Sequence, residues 1–151
     1  MNEKYILLVE DDTNDEVLTL HALQENRIKN KVIVARDGAE ALDFLFSKGS
    51  HAGEPLPDLP QFVLLDLKLP KINGIEVLQE LRKQERTKIL PVIIFTSSKQ
   101  EKDMINGYRL GANSYVRKPV DFVEFAKAVK ELDLYWMVLN ERAPDPPAPK
   151  S

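Results

Sequence analysis

The chain has 151 residues, 43% of them hydrophobic and 30% charged, with a net charge of -3 and no cysteine. That length suits one domain around a single core. The acidic balance without a basic run argues against nucleic acid as the main partner, the missing cysteines exclude disulfides and thiolate chemistry, and no apolar run approaches the ~18 residues that span a membrane.

Five strand-sized apolar runs recur along the chain: 5 to 9, Val32 to Ala35, Phe62 to Leu65, Val92 to Phe95, and Tyr115-Val116 with its neighbours. After each comes a small polar residue with Glu three places on: Thr13/Glu16, Asp37/Glu40, Asn73/Glu76, Ser98/Glu101 and Asp121/Glu124. These are capping boxes or their Asp and Asn variants, and each predicts a helix start. Strands alternating with helices predict a parallel sheet covered on both faces.

The helix faces follow the apolar spacing: Val17, Leu20 and Leu23, then Leu42, Leu45 and Phe46, then Val77, Leu78 and Leu81, and last Phe122, Phe125, Ala126, Val129 and Leu132. Gly49 and Gly111 fall where helix ends favour positive φ. The stretch 47–60 is longer than an ordinary helix-to-strand loop, and it reads as a solvated insertion.

The segment Leu134 to Leu139 is apolar on all sides and extends the last helix to about 140. Such a helix must be covered, and Tyr135, Trp136 and Leu139 are the expected interface residues of a homodimer. Residues 1–142 are expected to form one domain. Residues 143–151, with four prolines, are expected to be a disordered tail.

Chemistry gathers at the strand ends. Glu10 and Asp11 follow the first run, Asp66 the third, Thr96 the fourth and Lys118 the fifth. In an open parallel sheet ligands bind at the carboxyl ends of the strands, so these residues would meet although 55 positions separate Asp11 from Asp66. Carboxylates on two neighbouring strands suit Mg2+, which takes one or two of them together with waters and phosphate oxygens. A carboxylate can act as nucleophile toward phosphorus, which makes Asp66 the candidate acceptor. Lys118 would neutralise charge on the transferring group, and the Thr96 hydroxyl would donate to a phosphoryl oxygen.

The chain resembles the receiver domains of two-component response regulators. The resemblance covers 5 to about 132 and rests on Ile6-Leu7-Leu8-Val9-Glu10-Asp11-Asp12, Asp66-Leu67-Lys68-Leu69-Pro70-Lys71-Ile72-Asn73-Gly74, Val92-Ile93-Ile94-Phe95-Thr96-Ser97 and Gly111-Ala112-Asn113-Ser114-Tyr115-Val116-Arg117-Lys118-Pro119. It implies a flavodoxin-like (βα)5 sheet of order 2-1-3-4-5. It also implies phosphorylation of Asp66 by a histidine kinase, with Mg2+ held by Asp11, Asp66 and the backbone carbonyl of Lys68, and Glu10 acting mostly through water.

The resemblance further implies a switch, in which phosphorylation draws Thr96 toward Asp66 and Tyr115 turns inward, altering the face formed by the fourth helix, fifth strand and fifth helix. A cis Lys118-Pro119 bond is expected. The insertion and the Trp-bearing extension resemble a subgroup that serves bacterial phytochrome kinases. The resemblance thus implies a single-domain, cytoplasmic signalling phosphoacceptor, no enzyme beyond its own phosphorylation and dephosphorylation, whose output is protein contact.

Other readings fit less well. A haloacid-dehalogenase-type phosphatase needs an acid where Lys68 stands, a flavodoxin's phosphate would be repelled by Glu10-Asp11-Asp12, and no P-loop string occurs. The alternative that keeps the fold is a non-phosphorylated interaction module.

Overall fold

Each strand is short and apolar because it is covered on both faces, as a central parallel sheet requires. The computed structural model describes residues 4–26, 28 and 31–145. Its elements run β1 (Tyr5–Val9), α1 (Thr13–Glu25), β2 (Lys31–Ala35), α2 (Gly38–Phe46), β3 (Phe62–Leu65), α3 (Gly74–Lys83), β4 (Val92–Thr96), α4 (Glu101–Arg109), β5 (Ser114–Arg117) and α5 (Phe122–Leu134). A five-residue π-helical turn, Tyr135–Leu139, continues α5. All strands pair in parallel in the order β2-β1-β3-β4-β5, the flavodoxin-like arrangement.

Alternation along the strands divides the core in two. Leu7, Val9, Val63, Leu65, Val92 and Ile94 face α2 and α3, packing with Leu45, Val77, Leu78 and Leu81. Ile6, Leu8, Phe62, Leu64, Ile93 and Phe95 face α1 and α5, packing with Leu23, Phe125 and Val129. Two residues assigned to core faces lie outside: Val17 is 58% exposed and Phe122 72%. Both lie near the N-terminal ends of their helices, Phe122 as the first residue of α5 and Val17 as the fifth of α1.

The caps agree with the sequence at Asp37, Asn73 and Asp121, whose side chains accept the N–H groups of Glu40, Glu76 and Glu124. At α1 the cap is Asp12, which accepts from Asp15, so the helix is registered one residue earlier than the Thr13/Glu16 pair suggests. At α4 the cap position is Gln100, whose side chain makes no cap bond. The positive φ after α2 belongs to Ser47 as well as Gly49, and Gly111 turns the chain after α4 with φ 90°.

The insertion is tied down at several points. Arg86 donates to the carbonyls of Leu45 and Pro57, Tyr5 to that of Asp58, and Ser47 Oγ to that of Pro55 at 3.1 Å. At the C-terminus the all-apolar segment divides: Trp136 (9% exposed) and Met137 (6%) join the core, while Tyr135, Val138 and Leu139 (62%) stay exposed. Residues 143–145 carry no regular structure, and 146–151 lie outside the described residues. No helix among the described residues is long and apolar enough to cross a membrane.

Candidate functional site

The strand ladder itself brings the acids together. Val9 pairs with Leu65, and the pairing runs one residue further: Glu10 N–H donates to the Ala35 carbonyl and Asp66 N–H to the Val9 carbonyl, both at 3.0 Å. On the other side Lys118 N–H donates to the Thr96 carbonyl at 2.8 Å, so β5 delivers the lysine to the same edge. Among the described residues no peptide bond is cis, so Lys118–Pro119 is trans, contrary to expectation. The lysine is aimed by this extra ladder bond.

Two glycines let the loop after Asp66 close over the edge. A Cβ on Gly74 would stand 2.2 Å from the Asp66 carbonyl oxygen, and one on Gly38 would stand 1.9 Å from that of Ile72. Only glycine permits those approaches. The loop also contains Lys71 at φ 64°, and its first residues bond back, Leu69 and Gly74 N–H both donating to the Leu67 carbonyl.

At the centre the Lys118 ammonium touches three carboxylates: Glu10 Oε1 at 2.5 Å, Asp15 Oδ2 at 2.7 Å and Asp66 Oδ2 at 2.9 Å. Glu10, Asp66 and Lys118 are buried, and Asp11 is exposed. Burial pulls the lysine toward the neutral form, but Asp66, Asp15 and Glu10 together hold its ammonium above the ordinary lysine range. Glu10 moves the other way. Burial, reinforced by the Asp66 charge and only partly offset by the Lys118 bond, pushes its carboxyl from 4.5 up to about 7.

One ammonium shared by three carboxylates leaves surplus negative charge, and a divalent cation would meet it. Glu10, Asp11 and Asp66 each present one oxygen within 4.8 Å of the others. Two of these acids are buried and the third faces solvent, which fits Mg2+, a cation that keeps several of its waters. Lys68 is exposed, and its N–H stands 3.3 Å from Asp66 Oδ1.

Thr96 is fully buried, and its Oγ1 accepts the Ser98 N–H at 3.3 Å. Tyr115 is half-buried, its hydroxyl 3.5 Å from the Ser98 carbonyl; burial raises its pKa. The sequence-predicted residues of the edge, Glu10, Asp11, Asp66, Thr96 and Lys118, thus converge. The three C-terminal residues do not act as a set: Trp136 lies in the chain's own core, a correction to its placement at an interface, while Tyr135 and Leu139 remain on the surface.

Sequence reasoning missed Asp15, the third partner of Lys118. Asp12 and Asp15 have the cap spacing, but so do Thr13 and Glu16 one residue later, and spacing alone does not choose between the two pairs.

Comparison with known proteins agrees with this geometry. Residues 6–130 match the family model described as the response regulator receiver domain. The response regulator Rcp1 of Synechocystis sp. is 37% identical over 134 residues, covering 89% of this chain and 89% of that one. The crystal structure of its Mn2+-bound form superimposes with a TM-score of 0.85 over 93% of this chain and 99% of that chain, at 35% identity. The phosphorylated cyanobacterial phytochrome response regulator RcpA gives a TM-score of 0.85 at 33% identity, with the same two coverages of 93% and 99%. The bacteriophytochrome response regulator AtBRR is 48% identical, with a TM-score of 0.71 over 93% of this chain and all of that one (100%).

Proposed function

From the premise that this chain belongs to the response regulator receiver domain family, we propose that it is a two-component phosphoacceptor in which Asp66 takes a phosphoryl group from a histidine kinase. The observation that carries this reading is the Lys118 ammonium, buried and bonded at once to Asp66 and to Glu10 beside a carboxylate group fit for a divalent cation. An Asp66 oxygen attacks phosphorus, and the phosphorus–nitrogen bond of the phosphohistidine breaks with its electron pair left on the imidazole. Lys118 holds the developing charge on the phosphoryl oxygens, a role its reach to Asp66 Oδ2 permits.

The carboxylates of Glu10, Asp11 and Asp66 and the Lys68 carbonyl would hold Mg2+, with Glu10 acting mostly through water. Mg2+, when bound, neutralises phosphoryl charge. Thr96 and Tyr115 are the switch residues, since both already bond to the same residue, Ser98.

The output is protein contact. Exposed Met104, Ile105 and Tyr108 on α4 and exposed Tyr135, Val138 and Leu139 at the C-terminus supply the apolar surface for a homodimer across the α4–β5–α5 face and the terminal turn. The names of RcpA and AtBRR favour a phytochrome-type kinase as phosphodonor. Incubation with Mg2+ and acetyl phosphate should add one phosphoryl group, as read by intact mass, and Asp66→Asn should take none. Equal labelling of the variant sinks the assignment.

A further inference from the structure

We infer that Ser98 and Asp103 form a latch that holds the loop between β4 and α4, and with it the Thr96 hydroxyl, in the resting position; this rests on the phosphoacceptor reading of Asp66. Ser98 is buried and is the meeting point of four groups. Its N–H is held by Thr96 Oγ1 at 3.3 Å, its carbonyl faces the Tyr115 hydroxyl at 3.5 Å, its Oγ accepts the Gln100 N–H at 3.3 Å, and its Oγ–H donates to Asp103 Oδ2 at 2.5 Å. The last bond, hydroxyl to carboxylate, is of the charge-assisted kind and short for its class.

The latch also does what a cap would do. Gln100 stands at the α4 cap position without a side-chain bond, so the first turn of that helix is tied to the sheet through Ser98 and Asp103. Thr96 Oγ1 accepts the Ser98 N–H, so a rotation that carries the hydroxyl toward a phosphoryl group on Asp66 takes Oγ1 out of that bond. The buried Ser98 N–H would then lose its partner, which is costly, so the Ser98 peptide shifts with Thr96 and the bond to Asp103 is strained with it. Asp103 is followed directly by Met104 and Ile105, both exposed, so release reaches the surface that α4 offers to partners. Ser98 and Asp103 are therefore positioning residues: they set the cost of switching without touching the phosphoryl group.

The test is the initial rate of phosphoryl incorporation from excess acetyl phosphate with Mg2+, a quantity independent of how long the product lasts. Ser98→Ala and Asp103→Ala should each raise it about tenfold or more, as expected from removing one charge-assisted hydrogen bond from the resting state. The double variant should match either single one, because both remove the same bond. Ser98→Thr, which keeps a hydroxyl, should return to the wild-type rate. Asp103→Asn, nearly the same shape without the charge, should fall between and guards against a folding defect. Wild-type or slower rates in the single variants, or effects that multiply in the double variant, overturn the latch. A wild type that takes no phosphoryl group overturns the phosphoacceptor reading and the latch together.

Discussion

At the carboxyl edge of the sheet, polar side chains are buried against one another; in the terminal turn Tyr135–Leu139, apolar side chains stand half in water. The edge holds Glu10, Asp66, Thr96, Ser98 and Lys118 out of solvent, each with a named partner. The turn leaves Tyr135, Val138 and Leu139 exposed beside buried Trp136 and Met137. Burying charge costs free energy that only close pairing offsets, so the edge has little freedom to vary. Exposed apolar groups cost little in isolation but favour a partner. The contrast separates a region built for chemistry from one suited to contact.

Removing the ammonium should break the first half of that contrast most severely. Lys118→Met strands the Glu10 and Asp66 carboxylates in a buried site, and at pH 8 without metal it should lower unfolding free energy by roughly 3 kcal/mol, measured by urea denaturation. Phosphorylation should fall by about a hundredfold or more.

The second half breaks next. Trp136→Ala should cost about 3 kcal/mol, a large-to-small change in a packed core, while Leu139→Ala should stay within about 0.5 kcal/mol. Equal effects would mean that the turn is uniformly buried or uniformly free.

Titration sharpens the edge further. Glu10 has its folded pKa raised from 4.5 to about 7, so the folded state holds that proton more tightly than the unfolded chain does. The resulting stability is fully present below about 4.5 and is lost as pH rises through about 7. Glu10→Gln should therefore match wild type near pH 4 and exceed it by on the order of 2 kcal/mol at pH 8 without metal. Mg2+ should narrow the gap at pH 8 by stabilising the wild type more than the variant, and its affinity for the wild type should rise with pH through about 7. Melting curves across pH with and without the ion check both signs.

The smallest stability effect concerns contact. Tyr135→Asp with Leu139→Asp should change the melting temperature by only about 2 °C, yet should shift a phosphorylated dimer to monomer in sedimentation. A wild type that stays monomeric when phosphorylated removes the dimer proposal.

Much of the edge was legible because it follows from strand periodicity. The first and third apolar runs end where Glu10 and Asp66 appear, and parallel register places those two acids side by side, while Lys118, one residue past Arg117 on β5, reaches them across β4. Asp15 was not legible because capping patterns tolerate a shift of one residue, and that shift decides whether Asp15 caps, solvates or meets Lys118. The glycine requirement at Gly38 arises from a loop remote in sequence, the carbonyl of Ile72, which no local pattern encodes.

Trp136 shows a different limit. An all-apolar segment has no polar face from which to read orientation, and the π-helical turn presents Trp136 and its neighbour Met137 to the core together. The Ser98 bond to Asp103 was hidden likewise: the pattern Ser98/Glu101 suggested a capping box, and the helix begins later, at Glu101.

The central claim, that Asp66 is the phosphoacceptor, is tested most directly by locating the acyl phosphate itself. After phosphorylation with Mg2+ and acetyl phosphate, borohydride reduction converts a phosphorylated aspartate to homoserine, which peptide mass spectrometry places in the chain. Homoserine at position 66 and at no other aspartate is the expected result. Homoserine at Asp11, Asp12 or Asp15, or a reduced product with Asp66 intact, would contradict it.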